Sequence, residues 1–452
     1  MGVLRIPQPI WLEVNTHLSR FGEHFAFLRA HHTFSRGEPV FWVTGVELVD
    51  DSEVSIDQGG HEVHLEAVLR AINLAMRDGT SLIEVHNHGG GRPRWSGLDL
   101  RGLKEVVPYM LDSLPDRPYG ATVWSGGEVF GEWFTSDGRG AFGSVTVYGD
   151  RFQQVVSKDG MPTSERTLVR QEPWFTQRGQ RELQMLRVAI VGNGGTGSPL
   201  AQNLVYLGLR DFVLIDPDAA DETSMNRLVT ARRQDVGRLK TSLTSRLILG
   251  VAPQATIVSV DADLRSSKAI DELRGCDVIF GCLDNDGGRL VLNEVAVAYR
   301  IPYVDLAVGI EAKDGSVSQA GGRVVVVTPN GPCLNCLHEI DSHEAGYFLS
   351  SGAQRERARN FGYVSGMDEP APSVVSVTAM IAAVAANELV VWVTGVRPLN
   401  VYTELDLLGI GRGRGAQWVT PRKVEQDPNC VTCTLSGVGD GGSFERYVAA
   451  AG

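Results

Sequence analysis

The sequence predicts an α/β protein of two domains, a mixed α/β one followed by a doubly wound, parallel one. Three observations carry this. At 452 residues the chain can form two cores, and its hydrophobic and charged fractions, 43% and 21%, are ordinary for globular proteins. An apolar run, Val188 to Val191, breaks into glycines at Gly192, Gly194, Gly195 and Gly197 and resumes as an apolar helical pattern, which reads as a buried strand, a tight turn and a helix. Beyond it, strand and helix patterns alternate to about residue 310, as a parallel sheet requires.

Before residue 137 the chain alternates β-rich runs, Phe25 to Thr33, Val40 to Leu48 and Thr122 to Val129, with helical patterns over His64 to Arg77 and Leu103 to Leu114. Turn-forming residues from Ser136 to Gly143 and from Ser157 to Ser164 mark a boundary. The expected division is therefore 1–137 for the first domain, 138–162 for a linker, 163–440 for the second domain and 441–452 for a tail. The stretch Val374 to Val396 approaches membrane-spanning length, but Asn387-Glu388 interrupts it, and it reads as a core helix followed by a strand.

A net charge of -12 argues against general nucleic-acid binding and against anionic membranes. The N-terminus lacks the apolar core of a signal peptide. Four of the six cysteines form two Cys-x-x-Cys pairs, Cys333/Cys336 and Cys430/Cys433. That usage suits a reducing, cytoplasmic setting, where four thiolates can make one closed, tetrahedral structural zinc site. Cys276 and Cys282 lie in an apolar run and read as core.

The glycine turn at a helix N-terminus suits a phosphate group. With Asp216 following at the distance of a ribose-binding acid, it also satisfies the dinucleotide fingerprint, so a nicotinamide enzyme fits this part. Downstream come Asn226-Arg227, Lys240, Asp284-Asn285 and Arg289. A dehydrogenase has no need of these cations and this acid. Attack on the α-phosphate of ATP does, because charge builds there and pyrophosphate must leave.

From about residue 165 to 435 this order resembles the ubiquitin-activating and ThiF-type adenylyltransferases. The resemblance implies a Rossmann-like domain with a structural Zn2+. In it Gly192, Gly194, Gly195 and Gly197 would hold the phosphates of ATP and Asp216 the ribose, with Asp218 and Asn226 also at the nucleotide. Arg227 and Lys240 would meet the triphosphate, and Asp284 would bind Mg2+. Ser224 stands where the family has Asn. Between His338 and Pro372 the chain has no cysteine, so it resembles adenylating-only members that activate sulfur-carrier proteins. The segment Arg166-Thr-Leu-Val-Arg170-Gln171 fits one from which an arginine reaches the partner subunit's nucleotide, which implies a catalytic role for Arg170 and a homodimer.

The first domain carries Glu84-Val-His86-Asn-His88 and, seven residues on, Ser96-Gly-Leu-Asp99. Histidines two apart on a strand share a face, and Asp99 at a helix start can close a site with them. Three ligands leave a position for water, as in a catalytic zinc site. The pattern resembles the JAMM (MPN-type) metalloproteases, whose fold is cytidine-deaminase-like. That resemblance implies Ser96 as an oxyanion donor and an upstream glutamate as general base. Glu23 matches best, while Glu38, Glu47 and Glu84 are nearby acids, the last also a possible ligand. The family usually has Ser or Thr between the histidines and Pro after them, where this chain has Asn87 and Gly89.

Together these readings imply an enzyme using ATP, Mg2+ and two Zn2+, acting on a small ubiquitin-like or sulfur-carrier protein that ends in Gly-Gly. Sulfur transfer, conjugation and defence are all open as its pathway. A nicotinamide oxidoreductase and a non-catalytic module that binds such tails are the alternatives.

Overall fold

The computed structural model describes residues 2–57, 60–88, 90–157, 165–313, 316–360, 372–408, 417–419, 424–442, 444 and 447. The chain divides into two units, Met1–Thr163 and Ser164–Gly452.

In the first unit, β1 (Gly2–Pro7) and α1 (Gln8–Leu18) lead into the antiparallel pair β2 (Phe25–Ser35) and β3 (Glu38–Leu48). A hairpin of β4 (Val54–Asp57) and β5 (Gly60–Val63) precedes α2 (Leu65–Asp78), β6 (Ser81–Asn87) and α3 (Asp99–Ser113). The strands β7 (Tyr119–Ser125), β8 (Glu128–Phe134), β9 (Arg139–Tyr148) and β10 (Phe152–Gln154) complete the unit. Its main sheet runs β1-β3-β2-β6-β7-β8-β9-β10, and β1 also pairs in parallel with β9. Ala71 and Ile72 of α2 and Met110 of α3 pack with Phe25, Phe27, Leu82 and Tyr119 of the sheet, which fixes β6 beneath both helices.

Two expectations change here, and one strand is added. The single run expected over Thr122 to Val129 is two strands, because Gly126 and Gly127 take φ of +60° and +78° and reverse the chain. Residues 139–154, expected in a linker, are β9 and β10 of this sheet. The turn residues before them close a hairpin, with Thr135 N–H donating to the Gly138 carbonyl at 2.8 Å, and Phe142, Val145 and Val147 are buried. The strand β1 went unread because it is buried from end to end and shows no alternation.

The second unit begins with α4 (Glu172–Met185), β11 (Arg187–Val191), α5 (Gly197–Tyr206) and β12 (Asp211–Ile215). Then come α6 (Lys240–Val251), β13 (Thr256–Val260), α7 (Ser267–Arg274), β14 (Val278–Gly281) and α8 (Asp286–Ala298). The long strands β15 (Tyr303–Lys313) and β16 (Ser316–Val327) are followed by α9 (Ser342–Leu349), α10 (Gly352–Asn360), α11 (Val375–Thr394), β17 (Tyr402–Asp406) and β18 (Gln417–Val419). The sheet runs β13-β12-β11-β14-β15-β16-β17-β18, parallel through β15 and antiparallel beyond it. This is the Rossmann order. The connections leaving β11 and β14 diverge, and the crevice they leave at the strands' carboxyl ends is where such sheets bind ligands.

The expected helix and strand over 374–396 are one helix, α11, which continues through Asn387-Glu388. Glu388 is tolerated inside because Arg397 pairs with it at 2.6 Å and the Asn400 N–H donates to it at 3.2 Å. The helix is long and apolar enough to cross a membrane, but 67% of its most apolar window is buried in this unit. Two residues of the expected tail, Phe444 and Tyr447, are also buried, and the Tyr447 hydroxyl donates to Glu294 at 2.6 Å.

Candidate functional site

A cavity of about 430 Å³ opens at the ends of β11, β12 and β14. Its floor is the glycine turn. Gly192 has φ +86°, and a Cβ on it would stand 2.5 Å from the Cys282 carbonyl, so only glycine fits. Gly192, Gly194 and Gly195 line the cavity, whereas Gly197 lies beneath it, where any Cβ would collide with the Gly192 carbonyl. Gly195 leaves room for Arg227, whose Cδ would be 3.0 Å from an added Cβ.

Asp216 ends β12 and is buried, and its carboxylate accepts N–H bonds from Asn193 at 2.6 Å and Asp218 at 2.9 Å. Burial holds its carboxyl above the usual carboxylate range. Lys240, first residue of α6, donates to Asp218 at 2.8 Å, so Asp218 orients a cation here. Arg227 donates to the Thr223 carbonyl at 2.7 Å and to Asn226 at 3.3 Å. Asn226 supports Arg227 and does not itself line the cavity. Asp284, just beyond β14, is exposed and accepts one bond, from Asn285 at 3.3 Å. Ser224 lines the cavity too, but its hydroxyl is spent on Asp221 at 2.7 Å.

Two residues stand elsewhere. Arg289 is buried among Asp305, Asp286 and the Glu339 carbonyl and pins α8 to β15. Arg170 is exposed in the segment before α4, outside the cavity lining. Cys276 is core, its thiol pushed up to about 12 by burial, while Cys282 borders the cavity.

The four paired cysteines meet in this unit. Sγ separations are 3.7 Å for Cys333 and Cys336, 3.5 Å for Cys333 and Cys430, and 3.4 Å for Cys336 and Cys433. Burial pushes the Cys433 thiol up to about 11, so its thiolate form calls for a neighbouring cation. The mutual spacing of the four is that of a tetrathiolate metal site.

In the first unit Glu23, His86, His88 and Asp99 bring donor atoms within 4.8 Å of one another. His86 is on β6, His88 just after it, and Asp99 opens α3. The His88 Nε2 stands 3.2 Å from Asp99 and 3.8 Å from Glu23. Among the described residues neither ring nitrogen of buried His86 makes a hydrogen bond, and Asp99 stands 3.5 Å from Nε2. Burial opposes its charge, but Asp99 and Glu84 outweigh burial and hold the ring up at about 9. Uncommitted imidazole nitrogens between carboxylates fit a bound cation. Ser96 and Asp99 cap each other: the Ser96 N–H donates to the carboxylate at 2.5 Å and the Asp99 N–H to the Ser96 Oγ at 3.1 Å.

Asn87, which stands between the two histidines, has a clear job. Its side chain accepts from the His24 N–H at 2.7 Å and donates to the Leu18 and Gly22 carbonyls at 3.0 Å each. It thereby ties the loop carrying Glu23 to the strand carrying the histidines. Glu23 is further held by His61 of β5 at 2.6 Å. Glu84 lies on the far side of His86, 3.7 Å from Nδ1, and accepts from Tyr119 at 2.8 Å, which is the position of a ring orienter. Gly89 lies outside the described residues.

The ThiF family profile matches residues 168–432, more than half of the chain. The chain belongs to the ThiF family. Membership decides between the two nucleotide readings that the glycine turn allowed. A SAMP-activating enzyme E1 of Haloferax volcanii is 30% identical over 159 residues, 35% of this chain and 56% of that protein. The adenylyltransferase and sulfurtransferase UBA4 of Meyerozyma guilliermondii is 29% identical over 160 residues, 35% of this chain and 36% of that one. The chain thus spans about half of the first relative's length and about a third of the second's. A crystal structure of E. coli MccB with ATP aligns over 61% of this chain and 76% of that one, at 17% identity and a TM-score of 0.44.

Sequence reasoning missed the far wall of the ThiF cavity, where Phe348, Leu349, Arg355, Ser373 and Thr378 come from α9, α10 and the start of α11. No local pattern announces them, since they lie 60 residues and more beyond Asp284 and reach the cavity through the packing of α9 on α8 and of α11 on α5 and β15. His61 was missed for the same reason.

Proposed function

We propose that the ThiF unit adenylates the terminal carboxylate of a small ubiquitin-like or sulfur-carrier protein ending in Gly-Gly, and that the first unit is a JAMM-like zinc peptidase that exposes this carboxylate. The observation that carries the first half is one cavity in which Arg227, Lys240 and exposed Asp284 meet the glycine turn. The names of the SAMP-activating and UBA4 relatives support the same substrate class.

In the reaction the carboxylate oxygen bonds to the α-phosphorus, the bond to the bridging oxygen breaks, and pyrophosphate leaves with the electron pair. The N–H groups of the glycine turn hold the phosphates, Asp216 the ribose, and Arg227 and Lys240 the charge of the departing pyrophosphate. Asp284 would hold Mg2+, which neutralises triphosphate charge. In the first unit His86, His88 and Asp99 would hold Zn2+, which polarises water and the scissile carbonyl. Glu23 takes the water's proton and Ser96 donates to the developing oxyanion.

The direct test is ATP–pyrophosphate exchange driven by a Gly-Gly carrier, which must vanish when the carrier's terminal carboxylate is an amide. For the metals, elemental analysis is expected to find about two zinc per chain. Cys336→Ala loses one together with the fold of the ThiF unit, because structural zinc binding is worth roughly 10 kcal/mol or more. His88→Ala loses only the other. A single zinc that survives His88→Ala removes the peptidase half.

We also propose a two-fold homodimer in which Arg170 serves the partner subunit's nucleotide. Its exposure outside its own chain's cavity supports this. Mixed Arg170→Ala and Asp284→Ala chains are expected to regain part of the exchange activity that each lacks alone. No recovery after proven subunit mixing means that the site is complete in one chain.

A further inference from the structure

The cavity of the ThiF unit holds more positive charge than its nucleotide wall uses. Of the cations lining it, Lys240 is paired with Asp218 at 2.8 Å and Arg265 with Asp263 at 2.8 Å. Arg227 bonds only to uncharged oxygens, and it lies over the glycine turn where phosphate belongs. The fourth, Arg355, is on α10 in the opposite wall. Its backbone N–H donates to the Ser351 carbonyl at 2.9 Å, but among the described residues its guanidinium has neither hydrogen bond nor ion pair.

A guanidinium half-buried at a cavity wall, with no partner among the described residues, is a site for an anion. ATP does not need it, since the nucleotide wall already supplies glycine N–H groups, Arg227, Lys240 and Asp284. Adenylation, however, joins two anions. Without a counter-charge on the incoming side, a carboxylate would be repelled by the phosphate it must attack.

We propose that Arg355 receives the C-terminal α-carboxylate of the incoming polypeptide and presents it to the α-phosphate. This rests on the adenylation reading. A planar guanidinium fork suits it, because it can hold both carboxylate oxygens and so select a free chain end over an amide or an extended chain. Arg355 transfers no proton. Its charge is used until the carboxylate oxygen bonds to phosphorus and pyrophosphate departs.

The experiment uses the full chain with Mg2+, a non-hydrolysable ATP analogue and a fluorescent ten-residue synthetic peptide ending in Gly-Gly, as the free acid and as the C-terminal amide. The wild type is expected to bind the acid about 10- to 100-fold more tightly than the amide, the range of one charge-assisted hydrogen-bonded pair. Arg355→Ala is expected to abolish that preference and Arg355→Lys to keep part of it, with affinity for the analogue within about twofold in both. Arg355→Ala should fold, since among the described residues the side chain bonds to no neighbour. An acid preference unchanged in Arg355→Ala, or absent in a wild type that binds the analogue, overturns the proposal. So does a loss of analogue affinity with the acid preference intact, which makes Arg355 a phosphate ligand. A wild type that neither binds the analogue nor exchanges pyrophosphate sinks the adenylation reading instead.

Discussion

Asp284→Ala is expected to lower carrier-dependent pyrophosphate exchange by a factor on the order of 10³ while leaving the fold intact. The size follows from what the carboxylate is asked to do. Removing one preorganised group from a charge-developing site costs roughly 10²–10³ in rate, and losing the metal that neutralises triphosphate charge adds to that. The absence of a stability effect follows from its surroundings, since Asp284 is exposed and accepts a single bond of 3.3 Å. Asp284→Asn separates charge from shape and is expected to behave like the alanine variant. Exchange at the wild-type level in either variant, with a working carrier, removes Asp284 from the metal site.

Glu23→Gln is expected to abolish cleavage of a carrier extended beyond Gly-Gly, by roughly 10²- to 10⁴-fold, and to spare activation of the mature carrier. The substitution keeps the shape of a side chain that Asn87 positions through its loop and His61 touches at 2.6 Å, so it removes a proton acceptor and little else. Intact-mass spectrometry of extended and mature carrier, with ATP and Mg2+, reads both reactions in one mixture. A wild type that activates the mature carrier well but leaves every extended form uncut makes the first unit a recruitment module.

The parts legible in the sequence were those in which residues close in the chain are close in space. The glycine turn, the His86/His88 pair and the Cys-x-x-Cys pairs each sit on one strand end or one tight turn, so spacing alone announces them. The parallel sense of β11 to β15 follows from alternating patterns, because a parallel sheet needs a crossover after each strand, whereas alternation leaves their order β13-β12-β11-β14-β15 open. Elements whose signal is cancelled by their setting were not legible. Strand β1 shows no alternation since both its faces are buried, and α11 hides a carboxylate whose partner, Arg397, lies beyond the helix. Arg289 read as a possible site residue because a buried ion pair and a catalytic one look alike in sequence. Asn87 read as a departure because its purpose lies in a loop more than sixty positions earlier.

The cysteine cluster has a consequence of a different kind. Cys333 and Cys430 are 97 positions apart, and the chain between them supplies α9, α10 and α11, hence Phe348, Arg355 and Thr378 at the cavity. A metal bridging the two pairs would turn that stretch from an open branch into a closed ring, and ring closure of this length withdraws several kcal/mol of chain entropy. The wall that meets the incoming polypeptide would then owe its position partly to chain topology, maintained from a knot that touches neither nucleotide nor substrate. Removing the metal would free that wall as slackening a drawstring opens a bag, at the start of the wider loss of fold expected for Cys336→Ala.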